Sequence, residues 1–212
     1  MLRPLRSRYR TSSVYRLRHS VENRALIERA SKPLKLHLGC GPVVLDGWLN
    51  IDAFKYPGVA VMQLPSGLGR FTDNSVAFIY CSHVVEHIDY PHGVLTLLRE
   101  AKRILSPGGA IRIVVPGIER IIRAYVADDH EFFLEQEKFH PPSCTTKMEH
   151  LMYALQQDGE HKYGYDFETA RKVLMHAGFN RITDSAYNES EFDELRIDYR
   201  GNNLSLFVEA VK

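Results

Sequence analysis

Residues 34–52, LKLHLGCGPVVLDGWLNID, constrain this chain more than any other stretch. Leu34, Leu36 and Leu38 form a short apolar run that breaks at Gly39, Cys40 and Gly41. Glycines lack a β-carbon, so the backbone there can turn sharply and come close to a ligand. A second apolar segment, 48–51, then delivers Asp52 to a strand end, where an acid can accept hydrogen bonds from ribose hydroxyls. Strand, glycine turn, strand and acid together outline a cradle for a nucleotide-like ligand.

A chain of 212 residues is expected to form one main domain and to bury roughly 70% of its unfolded surface without covalent staples. The three cysteines, Cys40, Cys81 and Cys144, are odd in number and lack paired metal-type spacing, which fits a reducing compartment. No apolar run reaches the length of a bilayer span, and the positively charged start has no apolar segment behind it. The expectation is a soluble, cytoplasmic protein. Charge is uneven: Arg3, Arg6, Arg8, Arg10, Arg16, Arg18, Arg24 and Arg29 face only Glu22 and Glu28 in the first thirty residues. Such an arm reads first as solvated chain and second as a weak contact for an anionic or membrane surface. Nothing else points to nucleic acid, since no zinc-finger, RRM or KH pattern occurs.

Residues 1–33 read as the basic arm plus a short helix from Ser20 that ends before Pro33, and 34–212 as the domain proper. Strands are expected at 34–38, 48–52, 59–64, 76–80 and 110–115, with Cys81, Ser82 and His83 opening a loop after the fourth. Val94, Leu97, Leu98, Ala101, Ile104 and Leu105 repeat at helical spacing until Ser106-Pro107-Gly108-Gly109 stops them. Strands alternating with helices argue for a mostly parallel sheet in an α/β fold. From about 117 to 163 the composition shifts to charge, histidine and aromatics, which reads as an insertion on the substrate side. A last helix at 167–177, closed by Gly178, precedes a hairpin at 182–187 and 204–211.

A glycine turn with a downstream acid serves nicotinamide, flavin and S-adenosylmethionine alike. The dinucleotide fingerprint asks for a third glycine three residues after the second and an acid about twenty residues on. Val44 occupies the glycine position and Asp52 follows Gly41 much sooner, so a ligand with a ribose but no pyrophosphate fits better. Four segments in order, LHLGCG with DGWLNID, FTDNSVAFIYCSHVVEHI, LLREAKRILSPGGAIRIVVP and HKYGYDFETARKVLMHAGF, resemble the class I S-adenosylmethionine-dependent methyltransferases, in particular the methyltransferase type 11-like group. The resemblance implies a Rossmann-like three-layer sandwich around a seven-stranded sheet with an antiparallel last strand. It also implies S-adenosylmethionine as cofactor, with Gly39, Cys40 and Gly41 near its methionine and ribose and Asp52 on the ribose hydroxyls. Ala53 and Phe54 would lie beside the adenine, Gln63 and Leu64 near its amino group, and Cys81, Ser82 and His83 toward the sulfonium. His37 and Gln63 depart from the pattern, which often has acids there.

Methyl transfer is an in-line displacement, so the main demand on the protein is positioning. A neutral histidine can relieve a hydroxyl acceptor of its proton, which makes His83 the first candidate, with His161 and Tyr163 as alternates. A small molecule or glycan acceptor and O-methylation are implied by the resemblance alone. Two competitors stand beside this reading. His83-Val84-Val85-Glu86-His87 matches the H-x-x-E-H string of zinc peptidases, which requires a helix through the motif. A protein that binds S-adenosylmethionine without catalysis is the other. His140, Cys144, His150 and His161 scatter without metal-ligand spacing, so no metal is assigned.

Overall fold

The computed structural model describes residues 13–199 and 203–212, with side chains from Ser20 onward. Arg3, Arg6, Arg8 and Arg10 therefore lie outside the described residues. The basic segment enters a helix, α1 (Ser13–Arg29), longer than the sequence suggests. Asn23 explains where it docks. Its side chain accepts from the Val61 amide at 2.8 Å and donates to the Val61 carbonyl at 2.7 Å, which closes the exposed edge of the sheet much as another strand would.

Seven strands follow: β1 (Leu34–Leu38), β2 (Leu49–Asp52), β3 (Ala60–Val61), β4 (Val76–Ser82), β5 (Leu105–Pro116), β6 (Arg181–Ser185) and β7 (Ser205–Val211). Their order is β3-β2-β1-β4-β5-β7-β6, with β7 antiparallel to both neighbours and the other pairings parallel. The expected α/β, Rossmann-like sheet is observed. The third strand is shorter than expected. β4 runs on through Cys81 and Ser82, and β5 begins at Leu105, so Ser106 to Gly109 lie inside a strand.

One face of the sheet is apolar. Leu36, Leu38, Ile51, Ile79, Cys81, Ile111, Ile113 and Val208 pack there beneath α2 (His92–Ile104) and α6 (Phe167–His176). α2 offers Val94, Leu97, Leu98, Ala101 and Ile104, the stripe read from the sequence. α6 ends in a Schellman turn: Phe179 donates to the Leu174 carbonyl, Gly178 to that of Met175, and Gly178 takes φ +98°.

The opposite face carries a polar row. In register across five strands stand Asn50, His37, Tyr80, Arg112 and Glu209, all buried. The chain between β6 and β7, with a short 3-10 turn at Asp193–Leu195, covers this row. Its Asp198 takes a bidentate pair from Arg112 and accepts from the Tyr80 hydroxyl at 3.1 Å, while Glu209 meets Arg112 at 2.6 Å. Burying a guanidinium is tolerable only because both carboxylates and two backbone carbonyls satisfy it.

The segment expected as an insertion folds into α3 (Ile118–Val126), α4 (His130–Gln136) and α5 (Lys147–Gln156), which share a small core of Ile121, Ala124, Phe133 and Ala154. Thr146 and Glu149 form a capping box that fixes the start of α5. Among the described residues no helix is long and apolar enough to cross a membrane.

Candidate active site

The turn after β1 is braced by the acid after β2. Gly39 and Gly41 take φ +64° and +55°, a left-handed conformation that costs other residues strain. Asp52 holds this turn: its Oδ2 accepts from the Gly41 amide at 2.8 Å and its Oδ1 from the Phe54 amide at 2.7 Å. A carboxylate has about four acceptor sites, so two lone pairs remain for a ligand. Above the turn opens a cleft of about 510 Å³. Gly39, Asp52, Ala53, Phe54, Gln63 and Leu64 line it, as do His83, Val84 and His87 and, from the chain after α5, Gly159, Glu160 and Lys162. A β-carbon on Gly39 would come within 2.1 Å of Val84 Cγ2, whereas one on Gly41 would meet nothing within 4 Å. The cleft fits a nucleoside-sized ligand: its volume falls inside the roughly 300–1,000 Å³ of small-molecule sites, and open space lies over Gly41.

His83 follows β4 with φ +54°, a value that strains a side-chain-bearing residue and recurs at functional positions. Its amide donates to the Val114 carbonyl at 2.8 Å, and its Nδ1 stands 3.1 Å from Oε1 of the buried Glu86. His83 lines the cleft and also a second cavity of about 340 Å³, formed with Phe139, His140, Tyr153, Gln157, His161 and the start of β7. Three successive left-handed residues, Gln157, Asp158 and Gly159, reverse the chain after α5. The following strand of chain returns to the Glu86 carbonyl, which accepts from Lys162 at 2.7 Å. His161 is thereby brought to the site, its Nδ1 donating to the Ala154 carbonyl at 2.8 Å and its basicity lowered by burial. His140 and His150 face each other with Nδ1 atoms 2.9 Å apart, and burial next to a second imidazole pushes His140 down to about 4.

Of the residues singled out in the sequence, Gly39, Asp52, Ala53, Phe54, Gln63, Leu64 and His83 meet at one cleft, and His161 lines the adjoining cavity. Six others line neither cavity: Cys40 and Gly41 belong to the turn itself, and His37, Cys81, Ser82 and Tyr163 lie elsewhere. His37 belongs to the polar row: Nδ1 pairs with Asn50 Oδ1 at 3.0 Å and Nε2 with the Tyr199 hydroxyl at 3.1 Å, so it points away from the glycine turn. Cys81 and Ser82 are buried strand residues, not loop. Tyr163 stacks on Tyr90 with centroids 3.8 Å apart and lines neither cavity. Cys40 supplies backbone to the turn, but its thiol is buried against the Gly41 carbonyl and pushed up to about 12 by desolvation. The peptidase reading loses its helix, because His83 sits in a left-handed turn and only Val85–His87 form a short 3-10 turn. The sequence pattern left Met62, Val84, Glu160 and Lys162 out of the site and offered His87 only as part of the peptidase string. The run Glu160-His161-Lys162, ending an aromatic segment, was the available signal.

Residues 59–113 match the family model described as a methyltransferase domain. Comparison with curated proteins returns no match. Among solved structures, a SAM-dependent methyltransferase from Archaeoglobus fulgidus aligns over 97% of this chain and 96% of its own, at 16% identity and a TM-score of 0.53. A protein described as a "possible histamine N-methyltransferase" from Thermotoga maritima covers 92% and 89% of the two chains at 16% identity and a TM-score of 0.48. Residues 59–113 thus match a methyltransferase domain, and the likeness to the Archaeoglobus fulgidus structure is one of fold.

Proposed function

We propose that the chain transfers a methyl group from S-adenosylmethionine, held in the cleft above the Gly39–Gly41 turn, to the hydroxyl of a small molecule or glycan in the adjoining cavity. The observation that carries this reading is the position of His83 on the walls of both cavities. Bound S-adenosylmethionine supplies a methyl carbon activated by its sulfonium. Asp52 offers its spare lone pairs to the ribose hydroxyls, Phe54 offers a ring face to the adenine, and Gln63 and Leu64 close the far end of the cleft. His83, oriented through Nδ1 by Glu86, keeps Nε2 to accept the acceptor's proton. Tyr153, Phe139 and His140 give the acceptor an aromatic wall with polar points, a surface suited to an aromatic ring or a sugar face.

Location in the cytoplasm belongs to the same proposal and is supported by three free cysteines. So does a weak contact between the arginine-rich start of the chain and anionic surfaces, with no role for nucleic acid. The test is to incubate the protein with S-adenosylmethionine and a panel of phenols, sugars and amines, and to follow S-adenosylhomocysteine release. Release only with hydroxylated acceptors, with kcat falling about a hundredfold in His83→Gln at unchanged cofactor affinity, supports the proposal. Methylated amines would overturn the acceptor assignment, and cofactor binding without turnover on any acceptor would favour a non-catalytic binding protein.

A further inference from the structure

The wall between the two cavities holds three groups that nothing in methyl transfer requires together. One ligand atom from each of Glu86, His87 and His161 lies within 4.8 Å of the others. Glu86 is 1% exposed, and its Oε2 is buried without a hydrogen-bond partner, a costly state for a carboxylate oxygen. Both imidazoles are fixed through Nδ1. His87 Nδ1 is 3.1 Å from the Glu160 carbonyl, and His161 Nδ1 is 2.8 Å from that of Ala154. A carbonyl can only accept, so both Nδ1 atoms carry the proton and both Nε2 atoms keep a lone pair. Outer carbonyls that set the tautomer of ligating histidines are the usual support of a metal site.

We infer that Glu86, His87 and His161 form a site for a divalent first-row transition metal of the zinc type, built into the wall between the cofactor cleft and the second cavity. Two imidazoles and one carboxylate, with the remaining positions open, are a recurrent donor set for catalytic zinc and for non-haem iron. Tetrahedral coordination at about 2.0–2.1 Å sets ligand atoms about 3.4 Å apart, so closing onto an ion takes on the order of an ångström of side-chain movement. The donors come from two parts of the chain, the 3-10 turn Val85–His87 and the segment that returns after α5. An ion would therefore tie the helical segment to the sheet. Glu86 can bind through Oε2 while Oε1 keeps its bond to His83. The open positions are available to water or to an acceptor oxygen, whose acidity the ion would raise. That last role rests on the methyl-transfer proposal; the binding of the ion does not. The site is unrelated to a peptidase helix, since His83 is not a ligand in it.

Cobalt(II) is the probe. Chelator-treated protein titrated with cobalt(II) is expected to bind one equivalent with a visible d–d spectrum, and zinc(II) is expected to displace it. His87→Ala, His161→Ala and Glu86→Gln should each weaken cobalt binding at least tenfold. Calorimetry with S-adenosylhomocysteine on every variant reports whether the fold and the cofactor cleft survive. X-ray absorption on the zinc-loaded wild-type protein guards against variants that fail to fold: two imidazoles in the first shell support the site, and any other count overturns it. Absence of a bound equivalent, or unchanged affinity in the variants, also overturns it. Cofactor binding without metal defeats this inference alone, whereas metal binding without cofactor defeats the methyl-transfer proposal and leaves the site standing.

Discussion

The amide of Gly41 donates to Oδ2 of Asp52 at 2.8 Å, so the acid that ends β2 fixes the turn that ends β1. One carboxylate both shapes the cradle and faces what would lie in it. Replacing Asp52 by Ala removes both effects, and S-adenosylmethionine affinity should fall by about 1.5–3 kcal/mol, roughly ten- to a hundredfold. Asp52→Asn keeps one acceptor oxygen and should fall between. Calorimetry on folded variants checks this, and equal affinities in all three proteins would remove Asp52 from the site.

The two glycines of the turn should respond differently to alanine. At Gly41 only the left-handed backbone opposes a methyl group, a cost of about 1–2 kcal/mol. At Gly39 the methyl also collides with Val84, and overpacking adds about 1–3 kcal/mol. Urea unfolding should rank Gly39→Ala below Gly41→Ala in stability. Equal costs would mean that Val84 does not rest on Gly39.

This turn was legible in the sequence because its parts are close in the chain: a strand, two glycines and an acid within nineteen residues. His37 was not, although a strand's period of two carries the signal. Leu36 and Leu38 face one side, so His37 must face the other, with one polar partner contributed by each neighbouring strand. The same alternation places Cys81 on the apolar face. Tyr163 and His161 are two residues apart yet only His161 reaches a cavity, and that depends on three left-handed residues of which only Gly159 announces itself. The meeting of Glu86 with His161 is long-range and beyond any local pattern.

The polar row makes its own prediction. Asp198→Ala would leave the Arg112 guanidinium buried with half its ion pairing, and should cost about 3–5 kcal/mol by chemical denaturation. Tyr199→Phe removes one hydrogen bond to His37 and should cost only about 0.5–1.5 kcal/mol. A small loss for Asp198→Ala would show that Glu209 alone satisfies the arginine.

Acid should weaken the fold through His140. Its folded value lies near 4, below the ordinary histidine value of 6.5, because burial and His150 disfavour the charged form. The unfolded chain then binds the proton more readily. Stability is full above about pH 6.5, declines as pH falls toward about 4, and is flat in this contribution below that. The loss is on the order of 3 kcal/mol. Denaturation curves between pH 7 and 4 should be steeper in pH for wild type than for His140→Gln; parallel curves would refute the assignment.

S-adenosylmethionine as occupant of the cleft above Gly39 and Gly41 is tested most directly through its product. Titrating S-adenosylhomocysteine into the wild-type protein in a calorimeter should give one site with micromolar affinity, weakened at least tenfold in Asp52→Ala. No binding at millimolar ligand to folded wild-type protein, or binding indifferent to Asp52, would contradict it.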